Sequence, residues 1–314
     1  MSLKRVFSGL RRLSPLLGIF LFSVSLYFLA RELSKYSIEE ILSKIGSIAP
    51  SKVAIAALLT VVAYINLSLY DFLSARMTGA KLSYSRLLMT SFIGYSLSKN
   101  IGFTFLSGTS VRLRLYGNWQ VGTGRILVMI MLNYLTFWLG FAALGGLVFS
   151  TRAGFFTETL RIQPDSLQIL GVSLLSIYLV YFLVVTLRRK PLHLSNLRIP
   201  IPGKIFTLAQ TFVSILDWML SAAVLYTLMF PAIGYREVLT VFLISQFAGL
   251  SSQIPGGLGI FEAITLMTLS PAIPGDDLIA ILFVYRLIFY LIPLAVAVVL
   301  LSVEELRRRR RDNT

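Results

Sequence analysis

Apolar stretches of roughly 17 to 25 residues, the length a helix needs to cross a hydrocarbon layer of ~30 Å, recur along the whole chain. A backbone in hydrocarbon must satisfy its own N–H and C=O groups, so segments of this length are helices. Hydropathy places spans at 15–31, 53–75, 125–149, 167–187, 205–230 and 277–301. With 56% hydrophobic and 14% charged residues, and a mean hydropathy of +0.79, a water-soluble fold of 314 residues has nowhere to hide this surface. The fold class is all-α: a polytopic helical membrane protein forming a single transmembrane domain over 1–314.

Pro15 to Ala30 follows Lys4, Arg5, Arg11 and Arg12, as a secretory signal would, but no small-x-small cleavage site precedes Arg31. The segment therefore reads as an uncleaved anchor. There is no cysteine and one histidine, His193, a solvated residue in a basic loop. Disulfides, thiolate metal sites and cysteine nucleophiles are excluded. No Ser-His-Asp, metal-ligand or paired-carboxylate pattern stands out, so neither an enzyme nor a metal or cofactor is expected.

Basic loops stay on the cytoplasmic side of a membrane, and the connections sort accordingly. Positions 1–14, 76–86, 107–125, 188–204 and 302–314 carry 20 basic and 3 acidic residues, against 7 basic and 8 acidic in 31–52, 151–166, 231–237 and 274–277. Both termini are expected inside. The formal net charge of +15 is then a topological signal, with no nucleic-acid partner implied. Arg307 to Arg311, in the basic tail 302–314, anchors the last span and meets anionic headgroups.

Two apolar segments, near 87–106 and 237–273, are interrupted by Gly, Pro and polar residues. Six clean spans already return both termini to one side, so each broken segment enters and leaves on one face as a re-entrant hairpin. The second arm of the first hairpin, Thr109 to Gly124, is polar and only partly inserted. Ser37 to Ile48 begins with a capping box, Ser37 and Glu40, and repeats apolar residues at helical spacing, as an interfacial helix does. Span, hairpin and span occur twice, over 53–149 and 205–301, starting from opposite faces: an inverted repeat of the kind transporters use. Asp71 and Asp217 occupy comparable places in the two copies.

Five ionisable residues fall within the hydrophobic segments: Asp71, Lys99, Asp217, Glu262 and Arg286. At ~2.5 to 3.5 kcal/mol each in lipid, they must pair or face water. Arg286 is expected to bond Glu262 or Asp217, and Asp71 and Asp217 are candidates for a coupling proton or cation. In Ile254-Pro255-Gly256-Gly257-Leu258-Gly259-Ile260-Phe261-Glu262, the proline stops one helix and the glycines free the backbone before another begins. The new helix end suits Glu262, or an anionic phosphate; close helix packing is the plainer use of the glycines. Arg112 and Arg114, after Ser107-Gly108-Thr109 near the inner surface, suit phosphate oxygens or simple anchoring.

These residues carry a resemblance. Ser91-Phe92-Ile93-Gly94-Tyr95, Arg112-Leu113-Arg114-Leu115-Tyr116, the Pro255-Gly256-Gly257-Leu258-Gly259 break with Glu262, and Tyr285-Arg286 with Tyr290 and Pro293 resemble the YbhN-like inner-membrane proteins. Those belong with the transmembrane region of the lysylphosphatidylglycerol synthase and flippase family. The resemblance covers nearly the whole chain in the same order. It implies a lipid-flipping membrane domain of the bacterial cytoplasmic membrane, a homodimer among its arrangements, moving ordinary or aminoacylated phospholipid between leaflets. Only thirteen residues follow Leu301, so the aminoacyl-transfer domain of bifunctional members, and with it lipid synthesis, is not expected. The first hairpin departs from the double-glycine form, with Ser107-Gly108 in its place. The headgroup is expected on Arg286, Glu262, Gly256, Gly257, Gly259, Arg112, Arg114 and Lys99. The competing reading is a non-transporting scaffold or regulator of envelope lipids.

Overall fold

The structure, a computed structural model, describes residues 38–101, 104–151, 163–187, 192–194, 197–252 and 254–312. The expected anchor at 15–31, Ser37 of the capping box and the end of the basic tail lie outside them. The helices are α1 (Ile38–Ser47), α2 (Pro50–Thr78), α3 (Tyr84–Ile101), α4 (Thr104–Asn118), α5 (Thr123–Ser150) and α6 (Pro164–Leu187). A small antiparallel hairpin follows, β1 (Leu192–Leu194) with β2 (Leu197–Ile199), pairing Leu192 with Ile199. Then come α7 (Lys204–Met229), α8 (Tyr235–Ser251), a tight turn (Pro255–Gly257), α9 (Ile260–Leu269), α10 (Gly275–Arg286), a π-helical segment (Leu287–Leu291) and α11 (Ile292–Asp312). The fold is all-α, the two three-residue strands occupying a basic connection where no structure was expected.

Five helices are long and apolar enough to cross a membrane: Pro50–Thr78, Thr123–Ser150, Asp165–Leu187, Lys204–Met229 and the continuous run Gly275–Arg307. Their ends follow local chemistry. Pro50 opens α2, where its missing N–H costs nothing, and Gly79, at φ +67°, closes it. Asp276 and Asp277 stand in the first turn of α10, where negative charge is favoured. Hydroxyls inside apolar helices bond back to the preceding turn, as Thr60 does to the Ala56 carbonyl and Thr136 to that of Leu132.

α2 runs antiparallel to α7, with Lys52 donating to the Phe230 carbonyl at one end and Asn66 to that of Val213 further along. α5 lies beside both, and Gln210 of α7 reaches Thr136. One end of the bundle gathers Lys44 with Asp277, Lys52 with Phe230, and Arg236 with Thr151. α1 packs Ile45 onto the core there, joined by Ile48 just past its end. At the other end Arg114 pairs with Glu305. α6 leans on α5 and leaves Ile169, Ile177 and Leu183 bare, a surface suited to acyl chains.

The two interrupted segments are helical hairpins, α3–α4 and α8–α9. At ~1.5 Å per residue, the ten residues of α9 span ~15 Å, half a hydrocarbon layer. The first hairpin differs from expectation. Its helices are joined between Ile101 and Thr104, and Ser107-Gly108 lies inside α4. The arm expected to be polar and only partly inserted is a fifteen-residue helix with Arg112 and Tyr116 buried along one face. Tertiary pairing, which hydropathy does not see, makes that burial affordable.

Candidate functional site

The second hairpin turns through backbone open to glycine alone: φ is +60° at Gly256, +62° at Gly257 and +83° at Gly259. A Cβ on Gly257 would come within 3.0 Å of Gly249 Cα, so the turn folds tightly onto α8. On its other side, a Cβ on Gly256 would sit 3.5 Å from the Lys99 carbonyl oxygen and 3.8 Å from that of Asn100. The turn of one hairpin therefore abuts the end of α3 in the other.

Arg286 holds this turn. Its Nε donates to Glu262 Oε1 at 2.6 Å and its Nη1 to the Gly256 carbonyl at 2.7 Å, while Glu262 Oε2 accepts the Gly259 N–H at 2.8 Å. Of the two partners expected for Arg286, the structure gives Glu262. The guanidinium also lies over the Tyr290 ring, 4.6 Å from its centroid. Just after Arg286 the helix widens into the π segment, whose carbonyls take outside donors: Tyr64 Oη bonds Phe289 and Asn100 Nδ2 bonds Tyr290, at 3.1 and 3.3 Å. Single π turns recur at functional sites in helices.

A second clamp went unforeseen. Asp71, 0% exposed, takes two bonds from Arg112, Nε at 2.8 Å and Nη2 at 2.7 Å, with Tyr116 Oη and Asn133 Nδ2 at 3.0 and 3.1 Å. Arg112 is 5% exposed and stacks on Tyr95, 4.6 Å from the ring centroid. Its fork fits because Gly94 and Gly108 have no side chains: a Cβ on either would lie 3.2 or 3.0 Å from Nη1. Two expectations are corrected. Arg112 is not a surface residue presenting its fork to phosphate, because a buried carboxylate already fills it. Asp71 is not a free carboxylate for ion coupling, because it already accepts four hydrogen bonds, two of them from Arg112. Arg114 likewise is engaged, by Glu305.

Between the clamps lies a cavity of about 130 Å³, walled by α2, both hairpins, α5, α7 and the π segment. Lys99, Asp217, Arg112, Gly256 and Gly257 face it, with Gln246, Tyr290, Asn133 and aromatic side chains. Arg286 and Glu262 stand behind the turn and not on the wall. Asp217, 4% exposed, accepts a bond to Oδ2 from Tyr70 Oη at 3.1 Å, and its Oδ1 meets no donor among the described residues. Among the described ion pairs none includes Lys99, whose Nζ lies 4.1 Å from the Phe289 ring centroid and 5.1 Å from that of Tyr64. Two cations of the buried set are thus committed to carboxylates, while Lys99 is held by aromatic faces.

Sequence reasoning missed Arg112 as a buried charge, although Gly108, Arg112 and Tyr116 recur every four residues and so share one helix face. Nothing local marked the roles of Tyr64, Tyr70, Asn100, Asn133 or Gln246, which are set by which helices meet.

Long apolar helices, two helical hairpins meeting end to end, and charges buried among them define a multi-pass membrane protein with an intramembrane cavity that Lys99 and Asp217 face. The chain belongs to the family of the lysylphosphatidylglycerol synthase TM region, whose model matches residues 16–297. It is 31% identical to an uncharacterized protein, slr0712, of Synechocystis sp. over 299 residues, 94% of this chain and 92% of that one. With the inner membrane protein YbhN of Escherichia coli it shares 30% over 243 residues, 77% and 76% of the two chains. A phosphatidylglycerol lysyltransferase of Staphylococcus aureus is 24% identical over 292 residues, 91% of this chain and 33% of that protein.

Proposed function

We propose that the protein is a lipid translocase of the bacterial inner membrane, passing phospholipid headgroups through the cavity while acyl chains stay in lipid. One observation carries the reading: the half-buried cation Lys99 faces a cavity within the bundle, together with Gln246 and Tyr290. An ammonium held among aromatic rings, with no carboxylate partner among the described ion pairs, suits a phosphodiester anion. The match to the lysylphosphatidylglycerol synthase TM region and the similarity to a phosphatidylglycerol lysyltransferase and to the inner membrane protein YbhN support this reading. In this reading Arg286 and Glu262 hold the turn in shape and do not touch the headgroup. The repeats 53–149 and 205–301, taken as inverted, supply two hairpins that alternate in opening the cavity to each side. The protein carries out no covalent step on the lipid.

The test is leaflet exchange in vesicles. Purified protein is reconstituted with fluorescent phosphatidylglycerol or phosphatidylethanolamine, and outer-leaflet dye is bleached over time. Exchange should exceed that of protein-free vesicles, and Lys99→Gln should slow it by roughly 10- to 150-fold, the worth of one charged hydrogen bond at about 1.5 to 3 kcal/mol. Rates equal to protein-free vesicles for both lipids would remove the reading.

A further inference from the structure

The two aspartates that the repeat places alike have opposite surroundings. Asp71 is neutralised by the fork of Arg112 and two further donors. Among the described residues Asp217 has Tyr70 alone as a hydrogen-bond donor, and Oδ1 is buried without a partner. A carboxylate taken out of water without counter-charge is costly as an anion and cheap as an acid. Its neighbours supply little else. Tyr64 and Tyr70 come from α2, Tyr95 and Lys99 from α3, and Tyr134 from α5. Arg112 of α4 and Arg286 of α10 are spoken for by Asp71 and Glu262, Tyr285 and Tyr290 add only phenols, and α8 offers Gln246. Lys99, across the cavity, is therefore the one cation among these groups not already paired with a carboxylate.

We propose that Asp217 is a proton-binding site linked to anion occupancy of the cavity. The empty cavity holds Asp217 as a carboxylate facing the Lys99 ammonium. When a phosphodiester anion settles on Lys99, that compensation is lost, and Asp217 takes one proton from water to become a neutral acid. The charge of the pair and its guest is thereby conserved: a carboxylate and an ammonium give net zero, and a neutral acid, an ammonium and a phosphodiester also give net zero. An anionic headgroup would then cross together with a proton. This inference rests on the headgroup reading of the cavity.

The experiment titrates phosphatidylglycerol into the full-length protein in weakly buffered neutral-detergent micelles, with a pH-indicator dye recording proton exchange. We expect about one proton taken up per lipid bound, and affinity falling about tenfold per pH unit over the range where Asp217 is ionised in the empty protein. Asp217→Asn, which keeps the Tyr70 bond, should bind the lipid with no proton uptake and no such slope, and Lys99→Gln should lose binding. Should the asparagine variant fail to fold, proton uptake by the unmodified protein decides by itself. Binding without proton uptake, or an unaltered pH slope in Asp217→Asn, overturns the proton site and leaves the headgroup reading standing. No binding at any pH sinks both.

Discussion

Arg112 and Asp71 form a pair whose value lies in being complete. Removing the arginine alone leaves a carboxylate with 0% exposure facing only Tyr116 and Asn133. Breaking a buried pair in this way costs about 3–5 kcal/mol, whereas replacing both members by apolar residues is far milder. We therefore expect Arg112→Ala to lower the unfolding temperature in micelles sharply and Asp71→Leu/Arg112→Leu to recover most of the loss. Arg112→Lys should fall between, since a single ammonium cannot reproduce the fork at 2.7 and 2.8 Å. Equal stability of Arg112→Ala and the native chain would show the clamp to be idle.

At the scale of elements, the glycine turn and α1 make separate predictions. Gly257→Ala meets two penalties, a left-handed backbone at φ +62° and an approach of 3.0 Å to Gly249. Gly259→Ala meets backbone strain alone, at φ +83°, with open space around it. Lipid exchange should therefore suffer more from the change at Gly257, and a reversed order would mean the packing of turn on α8 is immaterial. α1 is tied to the start of α10 by Lys44 and Asp277, 2.7 Å apart. That hydrogen-bonded carboxylate raises the Lys44 pKa above its usual 10.5. The sign follows: the tie contributes below the unfolded value and is lost as pH rises through the raised folded one. Proteolysis near α1 should increase in strong alkali in the native protein, an increase absent from Lys44→Gln, which has no tie to lose.

For the whole molecule, contacts gather 44–52, 151, 230–236 and 277 at one end, and pair Arg114 with Glu305 at the other. From loop charge the second end is expected to face the cytoplasm. Cysteines introduced at Asp276 and Lys81 into the cysteine-free chain should react with an impermeant reagent from opposite sides, Lys81→Cys from within. Reaction from the same side would break the assignment of faces.

Much of this was legible in residues. Five long helices follow from apolar length, because hydrocarbon obliges a backbone to satisfy itself and leaves few alternatives. Pro255 with its glycines announced the second turn, since those residue types constrain φ wherever they occur. Arg286, too deep to remain single, could be given a carboxylate partner in advance, Glu262 or Asp217, and the structure gives the first. The fate of Arg112, Asp71, Asp217 and Lys99 could not be read the same way. Whether a buried charge is clamped or left facing a cavity depends on which helices bring partners within about 3 Å, a matter of three-dimensional packing among residues 41 or more positions apart. Local sequence therefore determined that charges enter the membrane, and only the assembled bundle decided which of them stay open to a ligand.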